Sequence, residues 1–79
     1  MSRFYFDVGT NNDLPHHDTE GDELADREAA RHEALLILNE AAHSLSIGTA
    51  GTEVTIRVRD EAGRKMYRAT LSLTERWTD

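Results

Sequence analysis

The chain has 79 residues, no cysteine, a single lysine and a formal net charge of −6. That composition excludes a disulfide framework, a thiolate metal site and a thiol nucleophile. A domain of this length buries only about 60 to 65% of the surface its unfolded chain exposes, so a deep, walled active site is not expected, and one small folded domain over residues 1–79 is.

The first element is a strand. From Arg3 to Val8 the chain alternates, with Phe4, Phe6 and Val8 on one side and Arg3, Tyr5 and Asp7 on the other, as a half-buried strand does. Residues 9–13 then carry turn chemistry, since Gly and Asn tolerate positive φ. A short second strand is expected around residues 14–18, and because Pro15 has no N–H to give a ladder, it lies at an edge or is irregular. A helix follows from about Arg27 to Leu45, with Asp26 as N-cap and Glu28 in the first turn, where the dipole favours an acid. At 100° per residue Ala30, Ala34, Ile37, Leu38, Ala41 and Leu45 form one apolar stripe, and its alanines allow close approach to a sheet. Ser46, Ile47 and Gly48 supply a stop, with Gly48 suited to a left-handed cap.

After a loop over residues 48–52, Val54, Ile56 and Val58 alternate with Thr55, Arg57 and Arg59, and Tyr67, Ala69, Leu71 and Leu73 repeat the pattern. A four-residue connection over residues 60–63 sets Ile56 opposite Tyr67 and keeps both apolar sets on one side. A three-residue connection would turn Met66, Arg68 and Thr70 inward, so register favours four. The expected fold is therefore α+β: a small antiparallel sheet of three to four strands in ββαββ order, with one long helix packed on one face.

Four stretches in this order, Arg3-Phe4-Tyr5-Phe6-Asp7, Asp18-Thr19-Glu20-Gly21-Asp22-Glu23-Leu24, Ala29-Ala30-Arg31-His32-Glu33-Ala34 and Val58-Arg59-Asp60-Glu61-Ala62-Gly63-Arg64, resemble a family of short bacterial proteins known only as a domain of unknown function, common in rhizobia and other alphaproteobacteria. The resemblance implies a fold and a cytoplasmic home. It brings no activity, cofactor or site residues. A looser similarity, at the level of fold, is to the antitoxin half of small toxin and antitoxin pairs, which implies regulatory protein contact. The chain is expected to lack that group's third strand before the helix and any appended DNA-binding segment.

Charge and hydropathy agree with a cytoplasmic protein. Ten acids fall in residues 7–40 against Arg27 and Arg31, whereas residues 53–79 hold five acids against five arginines and Lys65. The asymmetry argues against phosphate-backbone binding by the whole molecule and leaves room for a local basic patch. The longest apolar run, residues 34–38, is far short of the roughly 20 residues that span a bilayer, and the opening residues form no signal core.

The residues that carry chemistry form no recognisable centre. His16 and His17 are neighbours, so on a strand they point to opposite faces, and the acids after Asp18 miss the spacing of a calcium loop. His32 and His43 share a helix face but stand about 16 Å apart. Neither a nucleophile motif nor a phosphate-binding glycine loop is present. No catalytic, metal or cofactor-binding residues are expected, and an enzyme ranks third among the readings.

The leading reading is a protein-interaction or regulatory domain that contacts a protein partner or a second copy, as a homodimer, through the outer helix row or a free sheet edge. The helix surface offers Leu35 and Leu36, with Leu36 in a row with His32, Asn39 and His43. The plainer alternative for these leucines is ordinary exposure, or cover by the tail and Trp77. The second reading is a nucleic-acid-binding module on the open sheet face, where Tyr5 would stack on bases while Arg57, Arg59 and Arg68 meet phosphates. Its plainer alternative has those arginines pairing with Asp7, Glu53 and Glu75.

Overall fold

The structure, a computed structural model, describes residues 1–11, 13–45 and 53–78, with residues 13–15, 44 and 45 described by their backbone. In chain order the elements are β1 (Ser2–Thr10), β2 (Asp13–His16), β3 (Asp22–Leu24), α1 (Arg27–Leu45), β4 (Glu53–Arg59) and β5 (Lys65–Ser72). Four strands form one antiparallel sheet in the order β2-β1-β4-β5, and β3 pairs with the beginning of β1. The α+β architecture and ββαββ order follow the sequence pattern. Strand β3 is a correction: a third short strand before the helix does exist. The helix stop at Ser46, Ile47 and Gly48 and the loop over 48–52 lie outside the described residues.

The core is built from three equal contributions. Phe4, Phe6 and Val8 of β1, Val54, Ile56 and Val58 of β4, and Ala30, Ala34 and Leu38 of α1 are all buried. Alternation supplies the two strand sets, and the alanines bring the helix down onto the sheet. Strand β5 adds the half-buried Met66, Tyr67 and Ala69 at the margin. It is the least covered of the long strands.

Helix α1 starts where its cap dictates. The Asp26 carboxylate accepts the Ala29 N–H at 2.9 Å, satisfying one of the four N–H groups that a helix start leaves over. Asp26→Ala is expected to cost about 1 kcal/mol of unfolding free energy in a urea titration, and a cost near zero would mean that the first turn is held by packing alone.

The β4–β5 connection differs from the expected one. Asp60 N–H donates to the Arg64 carbonyl at 2.9 Å and Gly63 N–H donates to the Asp60 carbonyl at 3.0 Å. The turn inside this pair thus has three residues, 61–63. The Asp60 carboxylate accepts the Ala62 N–H, the Arg64 N–H and Arg64 Nε, and Gly63 takes φ +85°. The Arg64 N–H first, opposed by desolvation and joined by the Arg64 side chain and the Ala62 N–H, holds the Asp60 carboxyl below its ordinary pKa. A three-residue turn would invert β5, but the register shifts next to Arg59↔Lys65, so that Val58 faces Tyr67 and Ile56 faces Ala69 rather than Tyr67. The bulge restores the apolar parity that the turn alone would have lost.

Candidate functional site

Three surfaces were expected to carry function, the outer helix row, a free sheet edge and the open sheet face, and the structure treats them differently. On the sheet face away from α1, Arg59 is committed to the protein itself. Its Nε and a terminal nitrogen bond the Asp7 carboxylate at 2.7 and 3.0 Å, and the same nitrogen bonds the Asp18 carbonyl at 2.7 Å. Its guanidinium lies 5.1 Å from the centre of the Tyr5 ring, a cation–π distance. Alternation explains the meeting: Tyr5, Asp7 and Arg59 all point away from the helix, and Tyr5 pairs with Arg59 in register. The Tyr5 face and the Arg59 charge that a nucleic acid would need are thus already used.

Asp18 completes this cluster from the return segment. Between the pairs Val8↔His16 and Phe4↔Asp22, three residues of β1 lie beside five of the return segment, residues 17–21. The excess is tied down by one carboxylate. Asp18 Oδ2 accepts the Phe6 N–H, and Oδ1 accepts the N–H groups of Glu20 and Gly21, each at 3.1 Å. Asp18 N–H donates in turn to Asp7 Oδ1 at 3.0 Å. Gly21, at φ +69°, lies against the Phe4 carbonyl, where a Cβ would come within 2.7 Å of the oxygen. Arg3 closes the far end by donating to the Glu20 carbonyl at 2.7 Å.

Electrostatics follow the bonding. Burial pushes the Asp7 carboxyl upward, yet the Arg59 hydrogen bonds, the Asp18 N–H, the Arg59 charge and His17, 3.5 Å away, outweigh it and hold the pKa below the ordinary value. For Asp18 burial is again the largest influence, and the N–H donors of Phe6, Gly21 and Glu20 overcome both it and the nearby charge of Asp7. Arg59 is raised, first by its bonds to Asp7. A carboxyl whose pKa is lower in the folded than in the unfolded state contributes stability above the unfolded pKa, about 3.9, and that stability is lost as pH falls through the folded value. Stability should therefore be level at neutral pH and fall below about pH 4. Urea midpoints measured from pH 7 downward check this, and a fall that begins near pH 6 would contradict it.

The remaining candidates are spread out. Arg57 is half-buried, and Arg68 is exposed directly across from it in β5. His32, Leu36, Asn39 and His43 are exposed along α1, with Leu36 at 50%, while Leu35 is half-buried. Trp77 is 93% exposed, so its ring does not cover the helix leucines. An open hollow of about 580 Å³ lies where the starts of β1 and α1 meet the β4–β5 turn, lined by Phe4, Arg27, Glu61 and Met66 among others. Its inner carboxylates, Asp26 and Asp60, are already engaged as cap and turn acceptors. Among the described residues no three His, Asp or Glu side chains converge as metal ligands would, and no helix is long and apolar enough to cross a membrane.

Residues 3–72 match the family described as Domain of unknown function (DUF6894). The chain belongs to that family. The match begins at Arg3 and ends at the end of β5, so the Asp7–Asp18–Arg59 cluster and all of the sheet except Ser2 lie within the DUF6894 segment. No curated protein and no solved structure matches the chain.

The free sheet edge expected from the sequence, whose strand the sequence did not name, is the outer side of β5, which has no neighbouring strand among the described residues. Phe6 N–H turns away from β4 to reach Asp18, and Asn11 N–H bonds the Glu53 carbonyl. Counting alternately across the two ladders, Tyr67, Ala69 and Leu71 direct their backbone groups at β4, whereas Thr70 and Ser72 direct theirs outward. Leu71 and Leu73 are 41% and 39% exposed. The signal was present in the sequence as an apolar alternation that runs on through Leu73 into a polar tail.

Proposed function

We propose that this DUF6894 chain is a non-enzymatic interaction domain of the bacterial cytoplasm, which engages another polypeptide along the outer edge of β5. One observation carries the reading: an eight-residue strand stands at the end of the sheet order, with Leu71 and Leu73 exposed beside it. Such an edge offers main-chain hydrogen bonds for affinity and side-chain contacts at alternate positions for specificity. The helix row ranks below it because Leu36 is a single leucine among His32, Asn39 and His43. The nucleic-acid reading loses its main support with Arg59 and Tyr5 engaged by neighbours.

Amide-resolved hydrogen exchange and chemical shifts separate the surfaces. With ¹⁵N-labelled chain in soluble extract of its native host, the Thr70 and Ser72 amides should gain protection, and the lines of Leu71 and Leu73 should broaden. Leu36→Glu should leave these changes intact, whereas Leu71→Lys combined with Leu73→Lys should abolish them. Changes confined to His32, Leu36, Asn39 and His43 would move the contact to the helix. Salt-sensitive shifts at Tyr5, Arg57 and Arg68 with single-stranded RNA would restore the nucleic-acid reading.

A further inference from the structure

Resting on the edge reading above, we infer that the occupant of β5 is a second copy of the same chain, paired antiparallel about a two-fold axis through Thr70. The geometry of the edge restricts the choice. When two copies share an edge with their helices on the same side of the joined sheet, residues directly opposite must point to the same face. The axis must therefore pass through a residue, and side chains decide which one.

An axis through Ser72 sets Arg68 against Arg76 of the partner and Ala69 against a glutamate, Glu75. An axis through Leu71 sets Tyr67 against Glu75, and an axis through Ala69 leaves Leu73 beyond the apolar positions of the other copy. Through Thr70, by contrast, Tyr67 faces Leu73, Ala69 faces Leu71, Lys65 faces Glu75 and Thr70 faces itself, with no like charges opposed over residues 65–75; Arg64 and Arg76 fall opposite each other only beyond that stretch. Apolar cross-strand pairs stabilise a sheet, and like charges directly opposite destabilise it. Thr70, whose N–H and carbonyl point outward, then exchanges two bonds with its own copy.

Two further features fit this occupant. The acids concentrated in residues 7–40 are absent from residues 65–74, which hold Lys65 and Arg68 and no Asp or Glu, so the strand that meets its copy is not the anionic part of the chain. The helix also leans over this side of the sheet: Arg27, Glu28 and Arg31 border Met66 and Tyr67 in a small hollow of about 110 Å³. Leu35, one turn beyond Arg31, is half-buried. Pairing the edges places the two helices side by side in opposite directions, with Leu35 on the flank nearest the partner helix.

The absence of cysteine makes the register directly testable in the full chain. Sedimentation equilibrium should give a dimer that Leu73→Lys returns to monomer. A short thiol-specific crosslinker should join Thr70→Cys chains at least about tenfold faster than Leu36→Cys chains, because paired residues see each other at high effective concentration. A mixture of Tyr67→Cys and Leu73→Cys chains should crosslink where neither alone does. Fast crosslinking of Ser72→Cys alone, or of Leu36→Cys, would overturn the proposed pairing. A monomer at every concentration would overturn it too, and the extract experiment then separates the outcomes: protection of Thr70 and Ser72 keeps the edge reading with a foreign partner, and no protection removes both.

Discussion

Replacing Arg59 with alanine is expected to cost about 3–5 kcal/mol of folding stability, the usual price of stranding one member of a buried charge pair. Asp7 would keep its burial and the Asp18 N–H but lose both guanidinium bonds. The Asp18 carbonyl would lose its 2.7 Å donor at the same time. Against a total of roughly 4–12 kcal/mol for a domain of this size, the variant should be largely or partly unfolded at room temperature. Asp7→Asn should cost less than Arg59→Ala if the amide oxygen still accepts from Asp18. The pair Asp7→Asn and Arg59→Met should cost less than the sum of its parts, since removing both charges leaves neither stranded. A urea-monitored double-mutant cycle measures each term, and an Arg59→Ala cost below about 1 kcal/mol would show the cluster to be solvent-like. In the folded remainder of Arg59→Ala the acid limb should move to higher pH, because the main influence that lowers the Asp7 pKa is gone. The result also bears on function. Loss of nucleic-acid binding in an Arg59 variant could not be read as loss of a contact, whereas an Arg57 variant would be informative.

What the sequence made legible is what local periodicity records. Phe4, Phe6, Val8 and Val54, Ile56, Val58 repeat every second residue, and Ala30, Ala34 and Leu38 every fourth, so each set names its buried face without tertiary information. Asp26 announced the helix start because a cap acts on residues three positions away. The Asp7–Asp18–Arg59 cluster was only half legible. Alternation placed Asp7 and Arg59 on the same face, but their bond spans 52 residues and that of Arg59 to Asp18 spans 41, distances over which spacing in the chain carries no register. The β4–β5 register failed for a related reason: parity excludes a three-residue turn only if the strands stay regular, and a bulge removes that condition. A better signal was present. Residues 18–21 and 60–63 both read Asp-x-x-Gly, and in both the carboxylate accepts backbone N–H groups ahead of it while the glycine takes positive φ. The candidate site was legible least of all, because which strand ends the sheet is a property of strand order, not of any segment.

The second large effect is expected at the first of these two glycines, and the other provides its control. Gly21→Ala forces a residue with a Cβ into the left-handed region, about 1–2 kcal/mol, and also drives that Cβ to 2.7 Å from the Phe4 carbonyl oxygen. The oxygen belongs to β1, which is held by β3 on one side of the cluster and β4 on the other, so it cannot simply move aside. Overpacking of this kind adds about 1–3 kcal/mol, for a total of about 2–5. Gly63→Ala carries the conformational cost alone, because nothing lies within 4 Å of its added Cβ, and should lose about 1 kcal/mol. The difference between the two unfolding free energies isolates the close approach of the return segment to β1. Equal costs would mean that β1 and residues 17–21 separate easily. The Asp18 bonds to Phe6 and Asp7 would then be too weak to fix the start of the sheet, and the stability assigned to Arg59 would have to be carried by the Asp7 pair alone.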